Sequence, residues 1–200
     1  MNRFEQGIYQ CTEPVAKLLE VTDNPHHRAI LENYRRHIHL EGSGQYELIV
    51  APDMMVDEPV YRINWGVPTV IRGKQGVIEF YRSAARYVMW NSDDRIAVAD
   101  WGLCDELTFH FLTTGHILEE FGVEVDDKDA YYHYTTRQAF VWPYDEQARL
   151  IGEHLYVDGT SAQVHKVDME EVVTPERAAE IHLELLRRLP PHAASPKTTS

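Results

Sequence analysis

Between Arg95 and Val157 the chain carries four segments rich in β-branched and aromatic residues with no amphipathic helical stretch between them, and that grouping limits the possible folds most. The segments are Arg95–Asp105, Glu106–Glu119, Thr135–Trp142 and Leu150–Val157. Turn chemistry follows each: Asp105, the acidic stretch Glu124–Asp129, Pro143-Tyr144-Asp145 and Asp158-Gly159. Strands grouped in this way point to an α+β protein with one curved antiparallel sheet, not to a parallel α/β sheet. The last two segments, separated by a polar loop, are expected to form a hairpin.

Helical patterning lies on either side. Residues 1–23 read as an N-terminal arm with a short helix over Glu13–Glu20. Asn24 is a candidate cap and Pro25 suits a first turn, after which Ile30, Leu31, Tyr34 and Ile38 form one apolar stripe. Gly42 and Gly44 end that helix, and Pro52-Asp53 turns the chain. Met54–Asn64 reads as a strand that Pro59 restricts to an edge or bulge. After Gly76, the residues Val77, Phe80, Tyr81, Ala84, Tyr87 and Val88 recur at helical spacing. Thr174-Pro175-Glu176 opens a last amphipathic helix that Pro190 and Pro191 stop. The expected organisation is an arm (1–23), an α+β domain (24–168), a C-terminal helix (169–189) and a disordered tail (190–200).

Composition narrows the function classes. At 200 residues and 44% hydrophobic content the chain can bury one sizeable core. A net charge of -13 opposes binding to nucleic acid or an anionic membrane. No run of about 18 apolar residues is present, and the N-terminus lacks the apolar centre of a secretory signal. Cys11 and Cys104 have no metal-ligand or redox spacing, which suits a reduced cytoplasmic setting.

Several segments then carry a family likeness: Tyr34 on the first long helix, Asp57–Tyr61, Gly73–Tyr81, Arg137–Trp142 and Gly152–Asp158. Over residues 24–165 their order resembles the nuclear transport factor 2-like superfamily, in its SnoaL-like branch. The resemblance implies a cone-shaped α+β barrel, with a pocket between the curved sheet and the N-terminal helices, and dimers formed through the outer face of the sheet. Members include polyketide cyclases, ketosteroid isomerases, dehydratases, epoxide hydrolases and a cofactor-free lyase of lignin-derived diarylpropanes; others are not catalytic. The arm and the C-terminal helix lie outside the likeness and are candidates for lid or dimer contacts.

The residues offer acid–base groups for such a pocket. Alternation along one strand places Thr108, His110, Leu112, Thr114 and His116 on one face and Leu107, Phe109, Phe111 and Thr113 on the other. His110 and His116 are candidate general bases if their face is the pocket face. Asp100 interrupts the apolar run Ile96–Ala99, as a surface residue or as a pocket acid. Glu153 lies on the more apolar face of its strand, either as a catalytic carboxyl or in a structural ion pair with Arg137. Tyr61 joins the catalytic candidates, while Tyr34, Trp65, Trp101, Tyr134 and Arg137 are candidates for contacting substrate. No metal or other cofactor is expected. His37-Ile38-His39-Leu40-Glu41 looks like a ligand motif, but His37 and His39 diverge by about 200° on a helix. The expected function is a cofactor-independent lyase or dehydratase acting on a small aromatic alcohol, in one version a lignin-derived diarylpropane that releases formaldehyde. The alternatives are a polyketide cyclase or isomerase of the same fold, or a non-catalytic module for small-ligand binding or dimerisation.

Overall fold

From Val88 to Val167 the computed structural model, which describes residues 1–190, runs mainly as four long strands. These are β3 (Val88–Ala99), β4 (Gly102–Thr114), β5 (Tyr131–Pro143) and β6 (His154–Val167), with a short helix α6 (Gly115–Glu120) after β4. Two short strands, β1 (Val60–Asn64) and β2 (Thr69–Arg72), complete one sheet in the order β2-β1-β6-β5-β4-β3. Neighbours pair antiparallel except β1 and β6, which run parallel, so the sheet is mixed rather than wholly antiparallel, and it does not close.

Register irregularities between Ser92 and Arg95 and between Thr135 and Arg137 mark bulges, which bend the long strands and increase their twist. The expected hairpin exists, with Val141 opposite His154 and Arg137 opposite Asp158. Its second strand, however, starts at His154 and continues through Asp158-Gly159 to Val167. The expected turn there is absorbed into the bulged region.

The turn expected at Asp105 lies elsewhere. The chain reverses at Asp100-Trp101, where Gly102 takes a φ of +147° and a Cβ would meet the Trp142 carbonyl oxygen at 2.1 Å. Only glycine fits there. Asp100 is therefore a turn residue, and Asp105 sits inside β4. The strand expected over Glu106–Glu119 likewise ends at Thr114, and its last residues form α6.

Helices cover the concave face. In α3 (Pro25–Gly42) the Asn24 side chain accepts from the backbone N–H groups of His26 and His27, and Ile30, Leu31 and Tyr34 are buried. Beside it lie α4 (Tyr46–Ile49) and α5 (Gly73–Ala84), the latter stopping before Tyr87 because Val88 already belongs to β3. The N-terminal arm holds two helices, not one: α1 (Arg3–Gln10), closed by an Asn2–Glu5 capping box, and α2 (Glu13–Val21). The last helix, α7 (Pro175–Arg188), packs on α1 and α3. Phe4 of α1 meets Trp90 edge-on, so the arm seals one end of the sheet's other face. The tail expected beyond Pro190 lies outside the described residues. Among those described, no helix is long and apolar enough to cross a membrane.

Candidate active site

A cavity of about 520 Å³ separates the concave face from α3 and α5. Its walls follow from strand alternation: Leu107, Phe109 and Phe111 of β4 and Phe140 of β5 point in, joined by Ile38 of α3 and Phe80 of α5. Trp65 and Phe121 also line it, with ring centres 4.7 Å apart. Asp105, Glu153 and Glu41 line this apolar space, and they belong to two groups of hydrogen-bonded polar side chains.

The first group joins α3, β3 and β4. Tyr34 donates to Asp105 Oδ2 at 2.6 Å, and the Trp142 indole donates to Asp105 Oδ1 at 3.0 Å. Asp94 Oδ2 is 3.2 Å from the same tyrosine oxygen and accepts from Asn91 at 3.3 Å. Tyr34 has one proton, and the shorter contact takes it. A protonated Asp94 then donates to the Tyr34 oxygen. Burial raises both aspartates above the ordinary carboxyl range, Asp94 further because the charge of Asp105 opposes it. Two donors hold Asp105 the lower of the two.

The second group joins α3, α5, β1 and the residues entering β6. Tyr81 donates to Glu153 Oε2 at 2.9 Å; its own oxygen lies 2.9 Å from the Tyr61 hydroxyl and 2.7 Å from His37 Nε2. With the Tyr81 proton committed to Glu153, its two lone pairs accept from Tyr61 and from the His37 ring. Burial pushes Glu153 up to about 8, against the Tyr81 bond and with the added repulsion of Asp105. Burial and Glu153 also raise Glu41, at the cavity wall, well above the ordinary range. Burial pushes His37 down to about 3, so the ring is neutral.

The cavity thus brings together Tyr34, Trp65 and Glu153 from the sequence-derived set, with Tyr61 hydrogen-bonded behind them. It does not gather the others. The Asp100 side chain is 88% exposed and pairs with His27, and Trp101 beside it is half exposed. His110 lies on the opposite face of β4, stacked on Trp90 and His133, with Ser92 at 2.8 Å. His116 stands on α6, paired with Asp129. Tyr134 packs on Phe111, and Arg137 binds Glu106 on the outer face, so the pair expected between Arg137 and Glu153 does not form. Neighbouring residues of one strand face opposite sides, and Arg137 shares the face of Glu106 and Thr108.

Sequence reading missed Asp94, Asp105, Glu41 and Tyr81. One signal was present: Leu103, Asp105, Leu107 and Phe109 alternate without a break, which places Asp105 on the apolar face once the strand is continued through it.

No family model matches the chain, and no curated protein matches it. Solved structures do. A protein named as a SnoaL-like polyketide cyclase from Shewanella putrefaciens CN-32 superposes with a TM-score of 0.57 at 12% identity, covering 74% of this chain and 90% of that one. One of the same name from Shewanella denitrificans OS-217 gives 0.53 at 14% identity, covering 66% and 92%. The chain shares its fold with these SnoaL-like proteins. A third match, named as a polyketide cyclase from Xanthomonas campestris pv. campestris, gives 0.50 at 12% identity over 66% and 93% of the two chains. At such identity the SnoaL-like likeness describes the fold, and the chemistry rests on this chain's own residues.

Proposed function

We propose that this chain is a cofactor-free acid–base enzyme, a lyase or dehydratase that takes a small aromatic alcohol into the cavity. One observation carries the reading: two buried carboxyl groups, Asp105 and Glu153, serve a single apolar cavity with their proton affinities set apart. Asp105, held by two donors, is the base. Glu153, protonated at neutral pH, is the acid, and Tyr81 with Tyr61 and His37 behind it can relay its proton. The aromatic walls favour an aromatic substrate, and among the described residues no Lys or Arg lines the cavity, which favours an uncharged one.

Elimination from a phenolic benzylic alcohol needs this division of labour. Asp105 takes the phenolic proton while Glu153 protonates the benzylic hydroxyl, which leaves as water and gives a quinone methide. If the next carbon bears a hydroxymethyl group, loss of its hydroxyl proton lets the carbon–carbon bond break. Formaldehyde departs, the bond's electron pair forms the new alkene and restores the aromatic ring, and the phenolate regains a proton. The sum is substrate to alkene, water and formaldehyde. A diarylpropane from lignin has these groups. The names of the fold neighbours suggest the second reading, cyclisation of a polyketide-like substrate by the same pair. The reading also includes a cytoplasmic location and assembly into a homodimer or small homo-oligomer, whose size sedimentation would check.

The test is incubation of purified protein with a panel of phenolic benzylic alcohols, with and without the hydroxymethyl group, alongside an aromatic polyketide ester. The expected result is a conjugated alkene by absorbance, with one formaldehyde per turnover from the diols. Turnover of the ester alone moves the assignment to the cyclase. Tight binding without turnover of any compound overturns the enzyme reading in favour of a binding module.

A further inference from the structure

Behind the cavity wall, three helical segments meet at a cluster that the acid–base reading does not use. Cys11 ends α1, His39 lies on α3 and His182 on α7; all three are buried, and one donor atom from each lies within 4.8 Å of the other two. We propose that Cys11, His39 and His182 form a zinc site that staples the N-terminal and C-terminal helices to α3.

The geometry suits the ion. The Nδ1 atoms of His39 and His182 are 3.2 Å apart. Two nitrogens bound to one tetrahedral zinc at about 2.05 Å stand about 3.3 Å apart. His39 Nε2 lies 3.2 Å from the Thr12 hydroxyl. With an ion on Nδ1, the Nε2 proton would be donated to that hydroxyl, the outer-shell arrangement that orients metal-binding histidines. The fourth position falls to water, as in other sites with three protein ligands. Space for His182 is built in: a Cβ on Gly42 would meet its ring at 2.3 Å, so this glycine lets α7 bring the imidazole against α3. The same ring borders the cavity, which gives an ion a route in, and its Nε2 has no partner among the described residues.

Ligand chemistry agrees with the geometry. Each of the three buried side chains offers one soft or borderline donor atom to the same point. A bound cation would hold the Cys11 sulfur as the thiolate. A thiol with two imidazoles selects a borderline-soft ion such as zinc over magnesium or calcium. The site would also tie α1 to the fold, where otherwise it holds through Phe4, Ile8 and polar contacts such as Tyr9 with Glu184.

Full-length protein, produced with zinc in the medium and purified without a polyhistidine tag, should carry about one zinc per chain by elemental analysis. Cys11→Ser and His182→Gln should each lower that below about 0.2. Chelation should lower Tm of the wild type by about 5 °C or more, with recovery on added zinc and no response in Cys11→Ser. If both variants fail to fold, the wild type still decides: cobalt exchanged into it should show a near-ultraviolet thiolate-to-cobalt band and tetrahedral visible bands. A wild type that binds under about 0.1 zinc, with Tm indifferent to added zinc, overturns the site. So does cobalt without the thiolate band, or zinc that persists in both variants.

Discussion

Tyr34, in the middle of α3, donates a 2.6 Å hydrogen bond to Asp105, near the start of β4, and so fixes the helix to the sheet at the carboxyl that faces the cavity. The contact is structural and electrostatic at once. It is one of two donors that offset the burial of Asp105, and its oxygen is also the partner of Asp94.

Tyr34→Phe keeps the ring's edge-on contact with Trp142 and removes only the donor. A bond to a charged group contributes about 1.5–3 kcal/mol, so stability should fall by about that amount. The lost bond lowers the proton affinity of Asp105 in the wild type, so its removal should move the acid limb of kcat/KM to higher pH. Activity at neutral pH should drop about 10- to 100-fold. Thermal unfolding and a pH–rate profile check both effects. A profile unchanged in position would remove Asp105 from the base role.

Glu153→Gln keeps the shape but cannot lose a proton. In the wild type the folded-state proton affinity, about 8, lies above the ordinary value of 4.5. The folded chain therefore holds a proton that the unfolded chain has released, and stability declines as pH rises from about 4.5 through about 8. The variant should lose this decline and match or exceed the wild type in urea unfolding at pH 9. It should also abolish turnover, by about 10²-fold or more, together with the alkaline limb. Full activity in the variant would show that the acid lies elsewhere.

The element order and the fold class were legible because long strands and amphipathic helices leave strong periodic signals, as in Ile30–Ile38 and Thr135–Trp142. The ends were not. Asp105 resembles a turn residue by composition, yet the reversal belongs to Asp100-Trp101, where Gly102 permits a close approach to Trp142 that composition cannot show. That displacement of one turn moved the buried carboxyl from Asp105 to Asp100 in the sequence reading. Glu153 and Tyr34 were recognisable because each stands on an otherwise apolar face. Asp94, Glu41 and Tyr81 were not, since their roles arise only when β3, α3 and α5 converge. The zinc ligands were hidden for the same reason: His39 has no ligand partner on its own helix, and its partners lie 28 residues before and 143 after it.

Trp65 contributes cavity wall and no proton chemistry. Its ring meets Phe111 at 5.1 Å and Phe121 at 4.7 Å, so Trp65→Ala opens the cavity on that side and removes binding surface. Contacts made equally in ground and transition states change KM, not kcat. KM should therefore rise about tenfold while kcat stays within about threefold, as steady-state kinetics on the aromatic alcohol would show. A fall in kcat with KM unchanged would mean that Trp65 orients the reacting atoms.

His110 provides the opposite test, a titrating group outside the cavity. Burial pushes it down to about 4, although Asp93 opposes the shift, and the ring is stacked at 4.9 Å from Trp90. Its folded-state proton affinity lies below the unfolded value of 6.5, so the unfolded chain binds a proton that the folded one refuses. Stability must then fall as pH drops from about 6.5 toward about 4, at up to about 1.4 kcal/mol per pH unit. His110→Gln removes this dependence, and it costs about 1 kcal/mol at pH 8 through the lost ring contacts and the bond with Ser92. Urea unfolding at pH 8 and pH 5 should show the gap between variant and wild type narrowing in acid. Since the ring is turned away from the cavity, kcat/KM at pH 8 should stay within about twofold. A loss of turnover in a variant that remains folded would return His110 to the catalytic set.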